Sequence, residues 1–300
     1  MSDLKKRWFV EPLFRQLYAL TVSPDVVPNG MDQRTWFKLV APRTQHPLDP
    51  ADLDRRGISL DGLHAGEQQL TGVLDGASFR GCVFDKTGFQ SASAAHCDFT
   101  GSRFLDAQMS PLYAPHAIFK DCEFEGCFVM GWGERGLKDS EGNVKEGSFS
   151  DLRNCDFSGV RAMQTCFDCC DFSSARFVDA QFSQCQFDTS DFRGANLDRA
   201  RFTMCGFSSG LAHPVAGEAV RGIHRCDFRH ARLTHAQFAE CKLDRSDFRN
   251  TDLDRAQFVA CDLTYAQFDD DPKIRMLVQQ GGNLGVSTIE WIPIECVKGC

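Results

Sequence analysis

Residues 226–255 read Cys-Asp-Phe-Arg-His, Ala-Arg-Leu-Thr-His, Ala-Gln-Phe-Ala-Glu, Cys-Lys-Leu-Asp-Arg, Ser-Asp-Phe-Arg-Asn, Thr-Asp-Leu-Asp-Arg. Cut this way, a Phe or Leu stands third in every group of five, a small residue stands first, and the rest are polar. A period of five fits neither the 3.6 of a helix nor the 2 of a strand. It fits a chain that turns a corner every five residues. Side chains alternate along extended backbone, so the first and third residues of a group share one face. Both point inward and the other three point out.

Working outward, the same spacing runs from Leu74 through Phe79, Phe84, Phe89, Ala94, Phe99, Phe104, Met109, Ala114 and Phe119 to Phe124. It resumes from Leu152 through Phe157, Phe172, Phe187 and Phe202 to Phe207, and again from Ile223 through Phe228 and Phe248 to Phe268. Four such sides close one coil of twenty residues, and stacked coils pair backbone to backbone at about 4.8 Å. The expectation is an all-β solenoid of about eight coils over 61–270. Phe and Leu alternate in the last block, which predicts Phe228, Phe248 and Phe268 on one face and Phe238 and Phe258 on the opposite one.

The register slips between Phe124 and Leu152 and between Phe207 and Ile223. Gly-rich stretches lie there, so loop insertions are expected at about 128–148 and 208–222. Long loops on a rigid scaffold often carry function. Residues 1–60, rich in Trp, Phe and Pro, are expected to form a capping or docking segment. Residues 271–300 are expected to cap the other end, since open solenoid ends invite edge pairing. Asp271 as N-cap, Pro272 and Gly281 predict a short helix with Ile274, Leu277 and Val278 inward. A strand could follow in 286–296.

The groups Ala195-Asn196-Leu197-Asp198-Arg199, Ser246-Asp247-Phe248-Arg249-Asn250 and Thr251-Asp252-Leu253-Asp254-Arg255 carry a resemblance to the pentapeptide-repeat proteins. That resemblance, covering about 70–270, implies a right-handed quadrilateral β-helix. It also implies varied non-catalytic roles, and C-terminal helices that cap the last coil and often mediate dimers. Some members resemble duplex DNA in width and charge, bind type II topoisomerases such as DNA gyrase and confer quinolone resistance. Two loops and a C-terminal helix are similar to those members.

The chain has 15 Cys, 26 Phe and 3 Tyr. Ten cysteines, among them Cys185, Cys205, Cys241 and Cys261, fall on the small inward position and read as core. Cys185 and Cys205 stand one coil apart, as do Cys241 and Cys261. That spacing suits stacking and would permit a disulfide, which a reducing compartment disfavours. Cys166-x-x-Cys169-Cys170 resembles half of a zinc site but has no matching second pair. Gly131-x-Gly133-x-x-Gly136 lacks the strand and helix that give a dinucleotide fingerprint its meaning. Asp139, Glu141 and Asn143 lack the closing Glu of a calcium loop. His230 and His235 read as surface histidines.

A net charge of −8 argues against direct nucleic-acid binding driven by phosphate contacts. No segment reads as a signal peptide or membrane span, so a cytoplasmic location is expected, with export by a non-classical secretion system left open. No cofactor or metal is expected. The leading functional expectation is a protein-binding scaffold or effector module, not an enzyme. A DNA-mimicking gyrase modulator and an enzymatic or toxin-associated activity in the N-terminal segment are the alternatives. Candidate partner-binding residues lie where the repeat fails: Trp8, Phe9, Trp36, Phe37, Trp132, Arg135, His213 and Trp291. A homodimer through the C-terminal cap is a further expectation.

Overall fold

The computed structural model describes residues 59, 61–62, 64–66, 70, 74–89, 92–109, 112–129, 137–138, 144–145, 150–207 and 226–294. Short strands one coil apart pair in parallel and in register, Phe84 opposite Phe104 and Phe182 opposite Phe202. The amide of each central residue donates to the coil that follows: Phe79 to the Asp98 carbonyl at 2.7 Å, Phe157 to Arg176 at 2.7 Å, Phe228 to Asp247 at 2.9 Å. The residue before the centre donates back to the preceding coil, as Asp98 does to the Ala77 carbonyl at 2.9 Å. Backbone groups that would be orphaned inside a narrow rod are thus paired between coils.

The corner has a fixed form. The second residue after each centre takes a left-handed conformation, at φ from 49° to 62° in the non-glycine cases. At many corners of the first, third and fourth faces the next amide closes a turn onto the carbonyl of the centre, as Ala77 does onto Leu74 at 2.9 Å. Such φ values are uncommon outside glycine, yet here they recur at almost every described corner. Inter-coil pairing on both sides of the corner holds the chain there.

The corners divide the rod into four faces. Phe79, Phe99, Phe119, Phe157, Phe177, Leu197, Leu233 and Leu253 belong to the first. Ala65, Phe84, Phe104, Phe124, Ala162, Phe182, Phe202, Phe238 and Phe258 lie under the second, which carries a nine-stranded sheet from His64–Gly66 to Gln257–Val259. The third runs from Leu70 through Phe89 to Leu263, and the fourth from Leu74 through Phe172 to Phe268. Rings stack up the faces: Phe228 on Phe248 at 4.8 Å, Phe248 on Phe268 at 4.9 Å, and Phe238 on Phe258 at 5.2 Å on the opposite side. All of these rings are buried. Each is worth roughly 1.5–3 kcal/mol in burial, and each stacked pair about 0.5–1.5 more.

The rod has about nine turns rather than eight. Repeats begin before Leu74: Ala65 pairs with Phe84, and Leu70 donates to Gly88. The step from Leu70 to Leu74 is one residue short, which hid that first coil from a strict count of five. Val129 is a further buried centre, with Cys127 as its small partner. Ile223 lies outside the described residues; the described ladder resumes at Cys226, where Phe192 donates to the coil of Phe228 and Phe207 to that of Leu243.

The small inward position explains the cysteines. Its thiol or hydroxyl donates to the carbonyl of the centre before the corner in the preceding coil: Cys97 to Leu74, Cys122 to Phe99, Cys155 to Ala114, Cys170 to Val129 and Cys226 to Phe187, at 2.8–3.1 Å. Ser190 does the same to Phe167 at 2.8 Å. Cysteine fills the volume of a small hydrophobe and satisfies an interior carbonyl as well. Burial pushes the Cys97, Cys122 and Cys155 thiols well up, and that of Cys127 to about 11. They are donors rather than nucleophiles. Cys185, Cys205, Cys241 and Cys261 form a continuous column of free thiols under the third face.

Both inserted segments leave from one seam, the corner between the third and fourth faces. The chain departs after Val129 and returns at Ser150, then departs after Phe207 and returns at Cys226. Leu137–Lys138 and Val144–Lys145 in the first segment pair antiparallel. The short Leu70–Leu74 step falls on the same seam.

The C-terminal end is closed by helix α1, Pro272–Gln280. The Asp271 side chain accepts from the Lys273 amide at 2.7 Å, and Val278 is buried on the core. Gly281 lies so close to the last coil that a Cβ would fall 1.6 Å from the Phe258 carbonyl oxygen. Asn283 donates to that oxygen at 3.0 Å. The strand Glu290–Ile292 then pairs with Gln267–Asp269 and sets Trp291 against Phe268. Solenoid edges that would template aggregation are covered here by the chain itself.

Candidate functional site

With the interior filled by side chains, function must act through outward groups. These differ from face to face. On the fourth face the residue before the centre is Asp in the five coils from Leu152 to Phe248, as Asp151, Asp171, Asp191, Asp227 and Asp247, in register one coil apart, whereas Ser93, Tyr113 and Gln267 hold that place in the described coils on either side. Each carboxylate accepts from the amide two residues on, at 2.9–3.2 Å. This is the Asx turn that leads the chain into the corner. A column of bare carboxylates at this spacing would repel itself. Arg153, Arg193, Arg229 and Arg249 prevent that by clasping the aspartate of their own rung in a fork, with the shorter contacts at 2.6–2.7 Å. Arg153, Arg193 and Arg229 also reach the next aspartate at 3.7–3.9 Å. Burial opposes ionisation of Asp227, but the Arg229 fork and the Arg229 amide hold its carboxyl below the ordinary range. The signal in the sequence is Asp-Phe-Arg or Asp-Leu-Arg, spaced by one coil among otherwise mixed polar positions.

The second face has no Asp or Asn before its centres. The residues there are His64, Val83, Arg103, Glu123, Arg161, Gln181, Arg201, Gln237 and Gln257. The backbone stays extended for three residues, so two side chains per rung face outward. A shallow depression of about 460 Å³ lies over Ala162, lined by Arg103, Arg161, Arg201 and Met163 among others.

On the third face Cys166 and Cys169 are half-buried. The Cys166 thiol donates to Asp168 at 3.0 Å, and Asp168 also accepts from the Asp188 amide at 2.8 Å. Burial raises both the Asp168 carboxyl and the Cys166 thiol. A protonated thiol donating to a carboxylate is the reverse of a zinc thiolate. Among the described residues no group of three or more His, Cys, Asp or Glu is placed to hold a metal.

Of the candidate partner-binding residues, Trp8, Phe9, Trp36, Phe37, Trp132, Arg135 and His213 lie outside the described residues. Trp291 lies in the cap strand, with the Arg275 guanidinium 4.3 Å from its ring centre. Arg275 in turn pairs with Asp270 at 2.7 Å. Trp291 therefore fastens the cap to the last coil. His230 and His235 are exposed at neighbouring corners. No described helix is long and apolar enough to cross a membrane.

Four-sided parallel coils with five residues per side define a β-solenoid of a particular class. The family model for pentapeptide repeats matches in eight copies, over 73–110, 165–203 and 226–264. The chain is a pentapeptide-repeat protein. No curated protein matches it. Solved structures similar to it include a trypsin-treated QnrB1, a plasmid-mediated fluoroquinolone resistance protein. It is 16% identical, with 75% of this chain and 98% of that one covered and a TM-score of 0.34. HetL of the cyanobacterium Nostoc, involved in heterocyst differentiation regulation, is 13% identical over 71% of this chain and 91% of that one, with a TM-score of 0.34. Rfr23 of the cyanobacterium Cyanothece is 9% identical over 65% and 87%, with a TM-score of 0.12. Likeness at this level carries no functional argument. The fold rests on the repeat and its coils.

Proposed function

We propose that the protein is a non-catalytic, protein-binding scaffold that presents its faces, inserted segments and cap to a partner in a reducing, cytoplasmic setting. The observation that carries this reading is the filled axis: Phe rings stacked at 4.7–5.2 Å occupy the interior that an enzyme would need for substrate. The thiols are spent on backbone carbonyls, and the best-organised charges are spent on one another. A homodimer through the cap would use Met276, Leu284 and Ile294, which are exposed there.

Duplex mimicry is the weaker reading, because the most regular acidic column is clasped by arginines along its length, and a phosphate mimic needs continuous negative potential. The test has two arms. Tagged protein from the source organism should retain a stoichiometric protein partner, and purified protein should show no turnover in a broad hydrolase and transferase screen. Reproducible turnover would overturn the scaffold reading. In a DNA gyrase supercoiling assay, micromolar protein should neither inhibit the enzyme nor protect it from a fluoroquinolone.

A further inference from the structure

The second face changes character along the rod. Its first rungs carry Asp85, Glu123 and Glu125 beside Arg103, which pairs with Glu123 at 2.9 Å. From Arg161 onward the outward rows carry no carboxylate. One row reads Arg161, Gln181, Arg201, Gln237, Gln257, and the other Met163, Ser183, Thr203, Ala239, Val259. Met163 and Val259 are 43% and 48% exposed on a flat sheet. This is a cationic and weakly apolar strip on a molecule of net charge −8.

Arg201 is the pivot of that strip. Among the described residues no carboxylate pairs with it. The nearby Asp179 is taken in a fork by Arg199, at 2.6 and 2.7 Å. Arg201 lines the depression over Ala162 and also a second one, of about 330 Å³, shared with the Asp179–Arg199 pair, Gln181, His235 and Gln237. Arg161 reaches Glu123 only at 3.6 Å and is 71% exposed. Arg153, Arg193, Arg229 and Arg249 are clasped within their own rung, and Arg103, Arg199 and Arg232 pair with carboxylates of neighbouring coils, so Arg201 and the weakly paired Arg161 leave this face with positive charge to offer. The small Ala162 centre lies beneath the first depression.

We propose that the second face between Arg161 and Val259 is the docking surface for an acidic, apolar-flanked extended segment of a partner protein. A partner carboxylate pairs with Arg201, with Arg161 as its neighbour two rungs away. Apolar partner side chains lie on the Met163–Val259 row. This deepens the scaffold reading and rests on it. Charge complementarity selects the occupant: a basic segment would be repelled from this strip, and a purely apolar one would leave Arg201 desolvated and unpaired.

The test uses the full chain labelled at its methionine methyl groups and an eight-residue peptide of alternating Glu and Val. Gln-Val and Lys-Val peptides are the controls. The acidic peptide should shift the Met163 resonance and leave those of Met276 on the cap and Met109 in the core in place. Arg201→Glu should weaken binding about tenfold or more. The Arg161→Glu, Arg201→Glu double variant should instead bind the Lys-Val peptide, which also shows that the variant is folded. Equal shifts with the acidic and Gln-Val peptides, shifts confined to Met276, or an affinity indifferent to Arg201→Glu would each overturn the proposal. Partners retained through another face, with Met163 unmoved, would sink this inference and spare the scaffold. Absence of any partner would sink the scaffold.

Discussion

The second and fourth faces are built from the same five-residue unit and stand back to back across the same core, yet they spend their outward groups differently. On the fourth face, Asp before the centre closes an Asx turn and Arg after it clasps that Asp. The polar groups are consumed in holding the corner. On the second face no Asp or Asn precedes the centre, the strand runs on for a third residue, and the rung hydrogen bonds are left to the backbone. Its side chains are released from structural duty. One position in five decides whether a face is braced or available.

That contrast can be broken most sharply from the inside. Phe228 belongs to an unbroken ring column under the fourth face, stacked on Phe192 at 4.9 Å and Phe248 at 4.8 Å. Phe228→Ala is expected to cost about 3–5 kcal/mol in urea unfolding. Under the second face Ala162 already interrupts the column, and Phe167 packs edge-on against both Phe124 and Phe182 at 5.9 and 6.0 Å. Restoring the ring with Ala162→Phe should therefore overpack and cost about 1–3 kcal/mol. A stabilised Ala162→Phe protein would show that the core beside Ala162 is under-filled rather than fully packed.

The outward residues come next. Asp227→Ala removes both the Asx acceptor and the Arg229 fork and should cost about 1–3 kcal/mol. Glu123→Ala on the second face, half-buried and paired only with the exposed Arg103 and Arg161, should stay within about 0.5 kcal/mol. Equal losses would erase the distinction between the faces.

Acid should separate them too. Asp227 is held below the ordinary carboxylate range, so between its folded and unfolded values the unfolded chain binds more protons. Its contribution is complete above about pH 4 and is lost as pH falls below that through the folded value. Urea midpoints at pH 5 and pH 3 should drop less in Arg229→Met than in the parent, whereas Arg103→Met should leave the drop unchanged. A further small effect lies at a corner. Thr189 is β-branched and sits at φ 60°, so Thr189→Gly should raise stability by about 0.5–1 kcal/mol despite the entropy that glycine costs.

The core was legible from sequence because its period is long and its residues are distinctive. Phe and Leu at every fifth position place the coils, the opposed Phe columns and most inward cysteines without recourse to coordinates. What escaped the spacing did so for physical reasons. The step from Leu70 to Leu74 is four residues rather than five, so a fixed count begins a coil late. Val129 and Cys127 keep the register, but they adjoin a Gly-rich stretch and read as loop. The brace on the fourth face is written as Asp and Arg, residues that a polar position accepts for many reasons. Only the coil-to-coil register shows that Asp191, Asp227 and Asp247 form a column. The difference between the faces was invisible for the same reason: a missing Asx on every fourth group has no meaning until the groups are sorted by face.

The shared seam between the third and fourth faces has a metrical consequence. The first inserted segment leaves after Val129 and the second after Phe207, three rungs apart on one edge. At about 4.8 Å per rung the two points of departure stand roughly 14 Å apart, fixed by the spacing of hydrogen-bonded peptides rather than by any side chain. The rod therefore works as a graduated rule. Removing or adding one twenty-residue coil between Phe167 and Phe207 would move the two marks by a single division and leave their bearing around the axis unchanged.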